Sequence, residues 1–143
     1  MKREFILPTL LATAFLSSCA INQTVEPADI ATDAVVCIVE NPDVREGFLA
    51  ELKKVLDEKH INYRVVDKQE SLNCEWTATY LGRWNWDLAL YMSYAEIKIY
   101  KNGQLDGEAI YDASRGGANL GKFIDAETKI RELVDSLIKE VNI

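Results

Sequence analysis

Ala34-Val35-Val36-Cys37-Ile38-Val39, followed closely by Asn41-Pro42-Asp43, is the junction whose reading decides the fold. An unbroken, β-branched apolar run without alternation is the pattern of a strand buried on both faces. Asn41 suits a helix cap, Pro42 suits the first helical position, and Asp43 favours the positive end of the helix dipole. Val44, Phe48, Leu49, Leu52, Val55 and Leu56 then fall on one helical face, and the helix should end near His60. Tyr63-Arg64-Val65-Val66 gives a second short strand, so the order strand–helix–strand implies a right-handed parallel crossover.

Beyond that unit the pattern changes to a meander. Residues 76–81 and 88–100 read as strands, with Gly82 to Asp87 as the turn region between them. Asn102-Gly103 is a strong hairpin signal and leads into a strand over about residues 105–111. Within the long strand the apolar parity changes, from Leu88, Leu90 and Met92 to Ala95, Ile97 and Ile99. A bulge at Ser93 or Tyr94 explains the change, as does burial of both faces in mid-strand. From about Asp125 a last helix carries Ile130, Leu133, Val134, Leu137, Ile138 and Val141 as its apolar stripe. The expected class is α+β (mixed α/β). Its five-stranded mixed sheet runs strand-helix-strand-strand-strand-strand-helix along the chain, with both helices on one face.

Upstream of Ala34 the chain is read as an address. Lys2 and Arg3 precede an apolar run from Phe5 to Leu16, too short to span a bilayer and the right length for a signal-peptide core. Leu16-Ser17-Ser18-Cys19 resembles a bacterial lipobox, which makes residues 1–18 a lipoprotein signal peptide and Cys19 an acylated N-terminus carrying palmitate-type chains. Residues 19–33 then read as the acylated cysteine and a polar tether reaching roughly 45 Å. Residues 34–143 read as a single periplasmic α/β domain. Removing the leader leaves 125 residues, enough for one core, and takes the formal net charge from -7 to -8. So acidic a chain is a poor binder of nucleic acid or of anionic headgroups. Cys37 and Cys74 remain as an even pair in an oxidising compartment. A structural disulfide is the expectation, against two buried free thiols or a redox pair, and the absence of a CxxC counts against the redox pair.

Catalytic and cofactor signals are weak. Gly116-Gly117-Ala118-Asn119-Leu120-Gly121-Lys122-Phe123 contains GxxxxGK, yet Phe123 stands where a phosphate-binding loop needs a hydroxyl for magnesium. It reads as a glycine-rich connection, and no nucleotide is expected. His60 is the sole histidine, which argues against a His-based metal site, and no metal or other cofactor is expected. Asp87, Asp112, Glu75, Glu96 and Glu108 are numerous enough for paired-carboxylate hydrolysis but read as a solvated face. Trp76, Tyr80, Trp84, Trp86, Tyr91, Tyr94, Tyr100 and Tyr111 all lie in the meander. Packing accounts for most of them. Trp84-Asn85-Trp86-Asp87 spans a hairpin end, and Trp84, Trp86 and Asp87 are therefore the candidate recognition surface for a glycan or a protein.

Taken together, Cys19, Cys37 in its strand, Cys74-Glu75-Trp76-Thr77-Ala78-Thr79-Tyr80, Trp86 to Glu96, Gly116-Gly117 and Lys129-Ile130 make the chain resemble the Sbal-type family of small bacterial lipoproteins. That resemblance implies an envelope address and a compact α/β domain, and it transfers no catalytic residues. Among lipoproteins generally, Ala20 rather than aspartate after the acylated cysteine implies sorting to the outer membrane, or to the cell membrane where there is only one. The resulting expectation is a non-enzymatic, lipid-anchored binding or accessory module for an envelope component. The alternatives are a carboxylate-based envelope hydrolase and a self-associating structural lipoprotein.

Overall fold

A computed structural model describes residues 20–139. Six strands and two helices follow in order: β1 (Asn22–Glu26), β2 (Val35–Val39), α1 (Glu46–Glu58), β3 (Asn62–Val66), β4 (Trp76–Asp87), β5 (Ala89–Lys101), β6 (Gln104–Asp112) and α2 (Ala126–Leu137). Short 3-10 turns at Glu70–Asn73 and Leu120–Phe123 complete the elements of the described residues. The strands form one mixed sheet in the order β1-β6-β5-β4-β2-β3. β2 runs parallel to both β3 and β4, and the remaining pairs are antiparallel. The mixed class and the expected succession of elements from β2 to α2 hold. The sheet, however, has six strands rather than five.

The extra strand lies in the stretch read as a tether. Asn22-Gln23-Thr24-Val25-Glu26 pairs along the edge of β6, and Ala28 then donates its N–H to Leu137 O at 2.8 Å. Ala28, Ile30 and Ala34 are buried. Gly107 permits this crossing, because a Cβ there would meet the Ala28 backbone at 2.5 Å. Gln23 also joins the Lys129–Glu132 pair of α2, accepting from Lys129 at 3.0 Å and donating to Glu132 at 2.9 Å. A segment pinned at so many points is part of the domain.

Both helices lie on one face, since Arg131 of α2 reaches Glu51 of α1 at 2.9 Å and Lys59 meets Asp135 at 3.2 Å. Phe48, Leu52 and Leu56 from α1 and Ile130, Leu133 and Leu137 from α2 meet Ile38, Ile97 and Ile99 of the sheet. The start of α1 is later than the Asn41 cap suggests: Asn41 Oδ1 accepts from Asp43 N in a local turn, and the helix begins after Arg45. α2 starts where expected, and Asp125 caps it by accepting from Thr128 N at 2.9 Å. Val141, expected on the stripe of α2, lies outside the described residues.

Cys37 and Cys74 form a disulfide, with Cα atoms 6.3 Å apart. Cys37 pairs with Thr77 on β4, whereas Val36 and Ile38 face the helices. The bridge thus covers the face of β2 that the helices leave open at Cys37, whereas Val35 on the same face is 48% exposed, so the expected burial on both faces holds only in mid-strand.

Candidate functional site

The sheet does not end level. β6 stops pairing with β5 at Tyr94, and β2 pairs with β4 only as far as Ala78. Past Arg83 and Tyr94 neither strand pairs with a third, and the pairs Trp84↔Met92, Asn85↔Tyr91, Trp86↔Leu90 and Asp87↔Ala89 form a projecting arm. The region expected as a turn, Gly82 to Asp87, is therefore strand, and the turn itself is Leu88. Gly82 misleads because its role is steric rather than conformational. A Cβ there would meet the Trp84 ring at 2.8 Å and Phe48 at 3.0 Å.

The parity change falls at the root of this arm. Arg83 pairs with Tyr94 but Trp84 pairs with Met92, so Ser93 is the extra residue of a bulge. Its hydroxyl donates to Arg83 O at 3.3 Å, and its carbonyl accepts from Ala113 N at 2.8 Å. The bulge carries the helix-side face from Ala95 and Ile97 onto Met92 and Leu90.

A two-stranded ribbon is marginal in water by itself, and this one is braced from both sides. Trp84 packs half-buried against the core, with the Arg45 guanidinium 5.4 Å from its ring centre. On the other side, Tyr91 meets Phe123 edge to face at 5.6 Å. Lys122, whose side chain is 4% exposed, forms an ion pair with Asp87 and donates to Gly117 O. A lysine so deeply buried requires a charge partner, and Asp87 supplies it. The lysine of GxxxxGK is thus spent on holding the arm, leaving none for a phosphate.

The candidate surface therefore divides. Trp84 is a bracing residue, Asp87 is paired, and Trp86 is 74% exposed. Sequence reasoning missed two neighbours of Trp86: Leu88 at the turn, 93% exposed, and Leu90 beside it, 45% exposed. Leu88 also has φ +60°. A left-handed leucine costs about 1–2 kcal/mol relative to its ordinary backbone regions, and turns use glycine or asparagine there.

The remaining candidates do not converge on a reaction centre. Trp76, Tyr80 and Tyr111 are core residues. The sheet face away from the helices is a polar ladder, not an aromatic patch: Tyr94 donates to Glu96 at 2.8 Å, and Lys98 bridges Glu96 at 3.1 Å and Glu108 at 4.0 Å. Burial, aided by Glu96, pushes the Tyr94 phenol up to about 12. The Ser114 hydroxyl and N–H hold the Asp112 carboxyl below its ordinary value, and hydrogen bonds from Lys129 and Gln23 do the same for Glu132. These shifts run opposite to what a general acid needs. His60 closes α1 with φ +57° and its N–H on Asp57 O. No cluster of three or more metal-ligating side chains occurs among the described residues. None of the described helices is long and apolar enough to cross a membrane. Cys19 lies outside the described residues.

In fold, the chain is similar to PelC. The PelC dodecamer from Paraburkholderia phytofirmans superposes with a TM-score of 0.52 at 14% identity, over 80% of this chain and 92% of that one. A single-substitution variant of the same dodecamer gives 0.51 at 14% identity, over 82% and 94%. At this identity the likeness is one of fold. No family model and no curated protein matches the chain.

Proposed function

We propose that this chain is an outer-membrane-anchored lipoprotein serving as a binding or accessory module for a cell-envelope component, with the β4–β5 arm as its contact element. One observation carries the reading. An apolar tip is held out from the sheet by an ion pair from the buried Lys122 to the exposed Asp87, and core packing has no use for Trp86 or Leu88. The test is crosslinking in cells, with a photoreactive residue at position 86 or, as a control, at position 103 in the opposite hairpin. Capture from 86 alone, lost in Cys19→Ala, supports an anchored module working through the arm. Equal capture from both positions would remove the arm from the reading.

Self-association is the second reading, favoured by the dodecameric assembly of the PelC structures that share this fold. Under it the mass of the chain rises with concentration and falls back in Trp86→Ala. The hydrolase alternative has less behind it, because Asp87 is tied to Lys122 and Asp112 to Ser114.

A further inference from the structure

The N-terminus and the arm leave the sheet at the same end. Asn22, Asp112 and Tyr94 are level across β1, β6 and β5, as are Glu26, Glu108 and Lys98. β1 and β5 therefore point the same way, and the residues before Asn22 extend in the direction that leads from Tyr94 back to Leu88. Ile21 stays close to that end, its Cδ1 lying 3.5 Å from where a Cβ on Gly121 would stand. Gly121 belongs to the 3-10 turn that braces the arm. Cys19 is three residues before Asn22, so an extended chain takes it at most about 10 Å beyond the sheet end. Leu88 is six residues before Tyr94, which takes the tip roughly 20 Å along the strand path. The tip thus reaches at least as far as the residue read as lipidated.

We propose that the envelope component met by the arm is the bilayer itself, with Trp86, Leu88 and Leu90 inserted at the lipid interface beside the Cys19 anchor. The inference rests on the lipoprotein reading and adds a second attachment point to it. Chemistry favours lipid at this place. Asp87 is the only charged side chain from Trp84 to Tyr91, and Lys122 neutralises it. Leu120, 79% exposed, adds an apolar side chain from the same bracing turn. An indole with neighbouring leucines suits the headgroup–acyl boundary, where an inserted apolar surface penetrates about 5–10 Å. A net charge of -8 on the chain without its leader repels anionic headgroups, so the contact has to be apolar rather than electrostatic. The left-handed leucine supports the same conclusion independently: glycine or asparagine would relieve the backbone and improve solubility, but neither would partition into lipid.

The experiment uses the mature protein purified from membranes, with its acyl mass recorded, and reconstituted in phosphatidylethanolamine–phosphatidylglycerol vesicles. Tryptophan emission is read with lipids brominated near the glycerol end of their acyl chains. Trp76 is buried and Trp84 half-buried, so bromolipid quenching should come mostly from Trp86. Most of it should vanish in Trp86→Ala, and it should weaken in Leu88→Asn, a variant whose turn prefers the new residue and whose melt controls for folding. An acylated protein quenched equally with and without Trp86 overturns the inference and leaves the anchored reading standing. A protein without acyl mass overturns both. Trp86 shielded from iodide in a lipid-free oligomer, and unquenched by bromolipid, overturns the inference in favour of contact between copies.

Discussion

Two hairpins leave opposite ends of β5, and they solve the same problem differently. At the β5–β6 turn the chain reverses through Asn102 and Gly103, with φ +49° and +76°, the residues that positive φ prefers. At the β4–β5 turn it reverses through Leu88 at φ +60°, with an exposed apolar side chain at the apex. The first hairpin is optimised for folding. The second accepts backbone strain and apolar exposure, and a dedicated buried lysine keeps it in place. Local rules broken and then braced call for a reason other than folding, and the contact role proposed for the arm supplies one.

The largest perturbation loosens the frame that both hairpins share. Reducing Cys37–Cys74, which closes a separation of 37 residues, should lower stability by about 3–4 kcal/mol in a denaturant titration. Gly82→Val acts on the arm side alone, forcing the Trp84 ring and Phe48 apart, and should lower stability by about 1–3 kcal/mol. An unchanged melt would show that the arm root yields freely. Lys122→Met keeps the apolar stem and leaves Asp87 without its partner. A loss of about 1–2 kcal/mol is expected, with faster amide exchange confined to residues 84–92. Spread of that exchange to the Asn102 hairpin would deny the arm its separate bracing.

A reciprocal exchange tests the comparison most directly. Gly103→Leu should cost about 1 kcal/mol or more, whereas Leu88→Asn should gain about 0.5 kcal/mol. If Leu88→Asn melts lower, the leucine is structural and the contrast fails. The smallest effect is alkaline. Tyr94 at the arm root titrates at about 12 in the folded chain, above its ordinary 10.0, so its contribution is complete below pH 10 and is lost as pH rises through 12. Tyr94→Phe should flatten that loss in melts taken across this range.

Much of the body is legible in the sequence because its faces are strongly patterned. The β2–α1–β3 unit, the stripe of α2, the Asn102-Gly103 turn and the bulge at Ser93 all follow from periodicity or turn chemistry. β1 is not legible, since Asn22-Gln23-Thr24-Val25-Glu26 is an edge strand with only Val25 half-buried and leaves no apolar alternation to detect. The arm misleads for a different reason. Glycine, asparagine and aspartate between residues 82 and 87 resemble turn residues, while Gly82 serves a ring and Asp87 a lysine. Trp86 stands out in the sequence. Lys122, 35 residues from Asp87, becomes meaningful only once the chain has folded it against that carboxylate.

The extra residue at Ser93 has a consequence for how this molecule can vary. Because the ladder is re-registered at the root, everything beyond it is an independent two-rail extension whose rungs alternate sides. One rung more or less turns the apex over and presents the opposite side chains, whereas an even number of rungs restores the same presentation at a new height. Length and facing are thus separate adjustments, and natural insertions between Trp84 and Met92 should come in matched, even steps on both rails.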